Sequence, residues 1–359
     1  MQTFTDKNEF ITGADISTLQ QIEDFGGKVY EKGIQRKCMD ILQDRGFNYI
    51  RLKVWNNPGL PNSDPAGYNN KEHTLQMAKR IKDMGFKLLI DFHYSDFWAD
   101  PQVQTKPAAW EGLKFEGLND AVYEYTKEVI TALKAQGTLP EMVQIGNEIS
   151  NGFLWDDGKL DGINATDAQW DKFCQLLKSG IRGLKDSLGS MQDVKIMIHI
   201  DKGGDFEFSK NFYDHIISRE VEFDVIGQSY YSQWHGTIAD LEYTLNSLAA
   251  TYNKELVVVE TAYPWTPKSD SNMPNKVTVQ LDGYPATVDG QAKFIRDVIK
   301  VIKNVPDNKG TGLFYWEPAF ITVEGCGWKY GEGNEWGNMT LFDFEGNLLD
   351  SIQAFKEEE

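Results

Sequence analysis

The sequence predicts an α/β protein: a single (β/α)8 TIM barrel spanning residues 1–359, with long βα loops framing an open substrate cleft. Three observations carry this expectation. Eight strand-like segments alternate with helix-like ones. The strands are short, rich in β-branched residues and almost continuously apolar, as parallel strands covered on both faces are. No Gly/Ser/Pro-rich linker, repeat or low-complexity tract divides the chain, and 41% hydrophobic residues suffice for one sizeable core.

Taken in order, the first unit pairs FITGADIS (Phe10–Ser17) with a helical stretch, KGIQRKCMDILQDRG (Lys32–Gly46). FNYIRLKVW (Phe47–Trp55) precedes HTLQMAKRIKDMG, where Met77, Ile81 and Met84 recur at helical spacing. FKLLIDFHYSD (Phe86–Asp96) precedes LNDAVYEYTKEVITALKAQG, and MVQIGNEIS (Met142–Ser150) precedes DAQWDKFCQLLKSGIRGLKDS. KIMIHID (Lys195–Asp201) is followed by NFYDHIIS, and FDVIGQSYYSQW (Phe223–Trp234) by IADLEYTLNSLAATY. LVVVETAYP (Leu256–Pro264) leads into VDGQAKFIRDVIKVIKNV, with Phe294, Val298 and Val301 on one face, and TGLFYWEPAF (Thr311–Phe320) comes last. Basic turns closed by glycine, such as Asp44-Arg45-Gly46, stop several helices. The longest non-helical stretches, Asn56–Asn70, Asp96–Gly117, Trp265–Ala286 and Gly325–Asn338, all follow strand ends. They therefore fall on the barrel face where active sites are built.

Composition narrows the function. A formal net charge of -18 repels phosphate backbones and anionic lipid, which argues against nucleic acid and membrane surfaces as partners and for a neutral ligand. Aromatic residues make up 13% of the chain, and its 10 Trp suit the flat apolar faces of sugars. Cys38, Cys174 and Cys326 are odd in number and match no zinc spacing, so neither a disulfide framework nor a zinc site is expected. The N-terminus lacks a cationic and apolar signal layout, and no apolar run approaches a membrane span.

Polar residues gather where the strands end: Asp15; Arg51; Asp91, His93 and Asp96; Asn147 and Glu148; His199 and Asp201; Tyr230, Tyr231, Trp234 and His235; Glu260; Trp316 and Glu317. Each alone has a structural explanation, as a cap, an ion pair or a core residue. In a barrel, however, all these ends converge on one mouth. Glu148 and Glu260, on the fourth and seventh strands, face each other across it. Glycoside hydrolysis needs such a pair, one acid to protonate the leaving oxygen and one carboxylate to attack the anomeric carbon or activate water. Arg51, His93 and Tyr230 are expected to hold one carboxylate ionised, while the other, less solvated, keeps its proton. Asn147 offers an amide for a sugar hydroxyl.

These stretches resemble glycoside hydrolase family 53, the endo-β-1,4-galactanases. The resemblance rests on GADIS (Gly13–Ser17), DFHYSDFWADP (Asp91–Pro101), VQIGNEISNGFLW (Val143–Trp155), KIMIHID, SYYSQWHG (Ser229–Gly236), VVVETAYPW (Val257–Trp265) and YWEPAF (Tyr315–Phe320). It implies Glu148 as acid/base and Glu260 as nucleophile of a retaining double displacement on β-1,4-galactan, the neutral side chain of pectin and type I arabinogalactan. Asp91, Asp96, Trp98, Asp201, Trp234 and Trp316 would bind substrate, with Trp316 stacking at the reacting subsite. The loop residues Trp110, Trp155, Trp265 and Trp328 serve either outer subsites or lid packing. Some bacterial members bind calcium after the seventh strand through a D-x-D-x-H-x-N run; the comparable SDSNMPN (Ser269–Asn275) keeps only the final Asn, so no calcium and no other cofactor is expected. A polymeric substrate implies action outside the cytoplasm, and a monomer is expected.

Competing readings are weaker. The alternatives are a related retaining enzyme acting on mannan or glucan, and a non-catalytic glycan-binding barrel. A metal site built on Asp91, His93, His199, Asp201 and His235 is disfavoured because the chain has only five histidines and they are scattered. In YGEGNEWGN (Tyr330–Asn338), Glu332 and Glu335 would repel phosphate.

Overall fold

The computed structural model describes residues 9–59, 67–190, 193–270 and 273–356. Eight parallel strands close into a barrel: β1 (Ile11–Asp15), β2 (Tyr49–Val54), β3 (Lys87–Phe92), β4 (Met142–Ile145), β5 (Lys195–Ile200), β6 (Val225–Ser229), β7 (Glu255–Thr261) and β8 (Gly310–Trp316). Each pairs with its sequence neighbours, and β8 closes on β1 with Asp15 beside Trp316. The helical layer includes α1 (Leu19–Asp24), α2 (Cys38–Asp44), α3 (Lys71–Asp83), α4 (Phe115–Ala135), α5 (Asp167–Leu188), α6 (Phe206–Ser218), α7 (Ser232–His235), α8 (Ile238–Tyr252) and α9 (Val288–Lys303). No described helix is long and apolar enough to cross a membrane.

The first predicted helix is shorter than expected. Val29–Glu31 and Ile34–Arg36 form an antiparallel hairpin, and only Cys38–Asp44 is helical. Lys32 and Gly33 both take positive φ (52° and 76°), the conformation a two-residue hairpin turn requires. Ile34, within the stretch read as helical, is 68% exposed. A second small hairpin, Gly152–Phe153 with Gly158–Lys159, lies in the loop after β4.

Strand alternation positions the site. Inward-facing residues form an apolar plug low in the barrel: Ile11, Tyr49, Leu89, Met142, Met197, Val225, Val257, Val259 and Phe314. Side chains point to the same face at every second residue. Stepping up from the plug, the inward positions therefore become Asp15, Arg51, Asp91, Gln144, His199, Ser229 and Trp316. On β7 the same parity would turn Thr261 inward. Instead an extra residue enters the ladder: Gln228 pairs with Val258 but Ser229 pairs with Glu260, and the register against β8 shifts likewise between Val258 and Thr261. This bulge re-aims the strand end, so Glu260 faces the mouth.

Candidate active site

Arg51 is the hub of the mouth. It is 1% exposed. Its Nη1 donates to Asp15 (2.9 Å) and Glu260 (2.7 Å), and its Nη2 to Asp91 (2.8 Å), the Asn147 side-chain carbonyl (2.8 Å) and Gln144 (3.2 Å). Burial opposes its charge, but the carboxylates of Asp91, Glu260 and Asp15 outweigh burial and keep it protonated.

Glu260 accepts from Arg51 through one oxygen and from the Tyr231 hydroxyl (3.1 Å) through the other. Burial pushes its pKa up to about 7, against the pull of Arg51. Glu148 caps the short helix after β4 in the left-handed region (φ 48°, ψ 49°), and its Oε1 accepts from Ser229 Oγ at 2.6 Å. Burial, then the charges of Glu260 and Asp201, push its pKa well above the carboxylate range. The cation sits on Glu260 and a neutral hydroxyl sits on Glu148, so the pair's first proton leaves Glu260 while Glu148 stays protonated.

The remaining predicted residues divide. Tyr230 does not reach either carboxylate. Its ring stacks on Phe294 of α9 (6.0 Å between centroids) and its hydroxyl donates to the Gly236 carbonyl (3.1 Å). Alternation turns Tyr230 out toward the helices and brings Tyr231 in, which supplies the hydroxyl expected of its neighbour. His93 takes donors from Trp55 and the Ala99 N–H on Nδ1 (3.2 Å each), so its Nε2–H donates to Asp91 (3.1 Å) rather than to the pair. Asp91, expected to bind substrate, is fully buried, with Gln144 on one oxygen (2.6 Å) and Arg51 and His93 on the other. It holds the hub instead. Asp96 likewise accepts from the backbone N–H of Asn57 (2.8 Å) and Ala108 (2.9 Å), pinning two loops together. Asn147 donates to the Ala99 carbonyl (2.9 Å) and accepts from Arg51. Asp201 is held by the Ser150 hydroxyl and by Lys202 Nζ at 3.0 Å.

An aromatic wall stands on one side. Trp316, 8% exposed, contacts Trp98 (5.9 Å), stacks on Trp328 (5.8 Å) and meets Trp336 edge-on (4.8 Å between centroids). Lys53 Nζ lies 4.0 Å over the Trp98 ring. Trp234, on α7, is 48% exposed and packs edge-on against Tyr231 (5.6 Å). Trp110, Trp155 and Trp265 act as loop fasteners: Trp110 packs on Tyr125, and the indole N–H groups of the other two donate to the Asn151 and Gly337 carbonyls. Sequence reasoning missed Trp336, Gln144 and Ser229, and it gave the role of Tyr231 to its neighbour; counting every second residue from the strand cores finds Gln144, Ser229 and Tyr231.

No group of three or more His, Cys, Asp or Glu among the described residues is placed to hold a metal. The three cysteines are buried and unbridged. In the Ser269–Asn275 stretch, where no calcium is expected, Asp270 accepts from the Thr322 hydroxyl (2.9 Å) and Asn275 donates to the Pro267 and Lys268 carbonyls (3.2 and 2.9 Å); Ser271 and Asn272 lie outside the described residues. A concavity of about 880 Å³ lined by Lys185, Phe223, Tyr252 and Lys254 sits at the opposite, N-terminal end of the strands, away from the carboxylate pair.

Residues 11–355 match the profile of Glycosyl hydrolase family 53. The endo-β-1,4-galactanase of Bacillus subtilis is 33% identical over 97% of this chain and 86% of its own. The arabinogalactan endo-β-1,4-galactanase of Thermothelomyces thermophilus is 34% identical over 96% and 98%. The solved GH53 catalytic domain of Ignisphaera aggregans superposes with a TM-score of 0.89, at 41% identity over 97% of this chain and 96% of that one. A barrel mouth with a split carboxylate pair and a tryptophan wall thus coincides with relatedness along nearly the whole chain: it belongs to glycosyl hydrolase family 53 and is a glycoside hydrolase.

Proposed function

We propose that the enzyme cleaves internal β-1,4-galactosidic bonds of galactan and type I arabinogalactan with net retention. The observation that carries this is the asymmetry of the pair: Glu260 is held by Arg51 and Tyr231, whereas Glu148 is held by Ser229 and stays protonated. In the first step Glu260 attacks the anomeric carbon as the Glu148 proton passes to the glycosidic oxygen, whose bond to that carbon breaks. In the second, Glu148 takes a proton from water, which attacks the anomeric carbon and releases Glu260. Trp316 stacks on the reacting sugar, Trp98 and Trp328 continue that wall, Asp201 lies beside the acid, and Trp234 lies farther out. The choice of galactan rests on the names of the related galactanases. A neutral polymer suits the charge of -18, and a substrate of that size is met outside the cytoplasm.

Purified galactan, mannan and glucan, with products followed by NMR, test the reading. Galactan is expected to yield short oligosaccharides that first appear as the β-anomer. First appearance of the α-anomer, or faster release from mannan or glucan, overturns it.

The enzyme is proposed to work without calcium, since the Asn275 amide turns to backbone carbonyls and Asp270 is the carboxylate of that loop. A chelator is expected to leave the melting temperature unchanged; a clear drop, reversed by calcium, contradicts this.

A further inference from the structure

One histidine holds Glu148 directly at its backbone and, through a serine, at its carboxyl. The Glu148 backbone N–H points at His199 Nδ1 (3.3 Å), which also takes the Gln144 Nε2 donor (3.0 Å). The Asn147 side-chain carbonyl oxygen lies 3.1 Å from the same nitrogen, but it already accepts from Arg51 (2.8 Å). Two donors converging on Nδ1 leave the proton on Nε2. His199 is fully buried, and burial together with the Arg51 charge holds its pKa well below the ordinary range, so the ring is neutral. Nε2–H then donates to Ser229 Oγ (2.8 Å), and the Ser229 hydroxyl has its proton free for Glu148 Oε1 (2.6 Å). The result is a closed ring of hydrogen bonds: Glu148 N–H to His199, His199 to Ser229, Ser229 back to the Glu148 carboxyl.

We propose that His199 and Ser229 are positioning residues that decide which oxygen of Glu148 carries the catalytic proton. With Oε1 committed as acceptor, the acid proton resides on Oε2, the oxygen left to meet the glycosidic oxygen. The same ring secures a non-glycine residue in left-handed backbone, which aims the side chain. The polarity is set by the histidine tautomer. Nδ1 must accept from the Glu148 backbone, so the serine has one direction in which to donate. This inference rests on Glu148 as acid/base, and leaving-group chemistry separates the two. Bond cleavage to a dinitrophenolate needs little protonation, whereas cleavage to phenolate or to sugar needs much.

The test measures kcat/KM, which reports the first bond cleavage, for Ser229→Ala and Glu148→Gln on dinitrophenyl β-galactobioside, phenyl β-galactobioside and galactan. For Ser229→Ala the phenyl substrate and galactan are expected to lose about tenfold or more, and the dinitrophenyl substrate at most about twofold. The ratio between substrates on one preparation cancels any inactive fraction, so a partly unfolded variant still gives an answer. An equal loss on all three, or none, alongside a steep leaving-group dependence for Glu148→Gln, overturns the role of Ser229 and leaves the acid/base assignment standing. A flat dependence for Glu148→Gln itself overturns both.

Discussion

Glu260→Ala is expected to lower kcat on galactan by about 10⁴–10⁶, the scale on which enzymes lose rate when a covalent nucleophile is removed. Two features make the loss larger than that of an ordinary carboxylate at this mouth. The bulge on β7 re-aims Glu260 toward the mouth, and Arg51 and Tyr231 occupy its two oxygens so that it loses its proton before Glu148 does. Loss of rate alone would not separate a nucleophile from a residue that merely supports the site. Alanine, however, leaves a space that azide fits. On dinitrophenyl β-galactobioside, azide is expected to restore turnover and to give the α-glycosyl azide, since it attacks from the side Glu260 occupied. Recovery of the β-azide would place Glu260 on the acid/base side, and near wild-type turnover without azide would remove it from the chemistry.

Much of this was legible from one chain. The eight apolar strands and their helices read cleanly because each is buried on a predictable face, and the polar strand ends stood out against them. What failed, failed for local reasons. Lys32-Gly33 makes a hairpin at the start of a stretch read as one helix, because turn chemistry there decides the backbone and Ile34 is left exposed. Tyr230 and Tyr231 differ by one position, which at a strand end means opposite faces. Strict alternation from Val225 selects Tyr231, whereas alternation from Val257 misses Glu260, because the bulge cannot be seen without the neighbouring strands. Asp91 and Asp96 read as ligand-binding groups because a sequence shows a carboxylate but not its partners. Asp91 is fully buried and occupied by Arg51, His93 and Gln144, whereas the half-buried Asp96 accepts from two backbone N–H groups.

Arg51→Met is expected to destabilise the fold by about 3–5 kcal/mol at neutral pH, the usual cost of removing one partner from a buried ionic group. The arginine is the shared counter-charge of Asp15, Asp91 and Glu260, all of them buried. Methionine fills much of the volume but leaves those charges facing one another. The deficit should also depend on pH, and its sign follows from Glu260. Burial already raises that carboxyl to about 7, and Arg51 is what pulls it down, so its loss raises the folded-state pKa further. A carboxyl whose folded pKa exceeds its unfolded value, about 4.3 for Glu, favours folding below the unfolded pKa and loses that contribution as pH rises through the folded one. Relative to wild type, the variant's deficit should therefore stay level from about pH 4 to about pH 6 and widen as pH rises past about 7 toward about pH 8. Denaturant melts of both proteins across that range decide it. A deficit that is constant, or that widens on acidification, would mean that Arg51 matters for its packing and hydrogen bonds rather than as the charge that lets three carboxylates share one buried mouth.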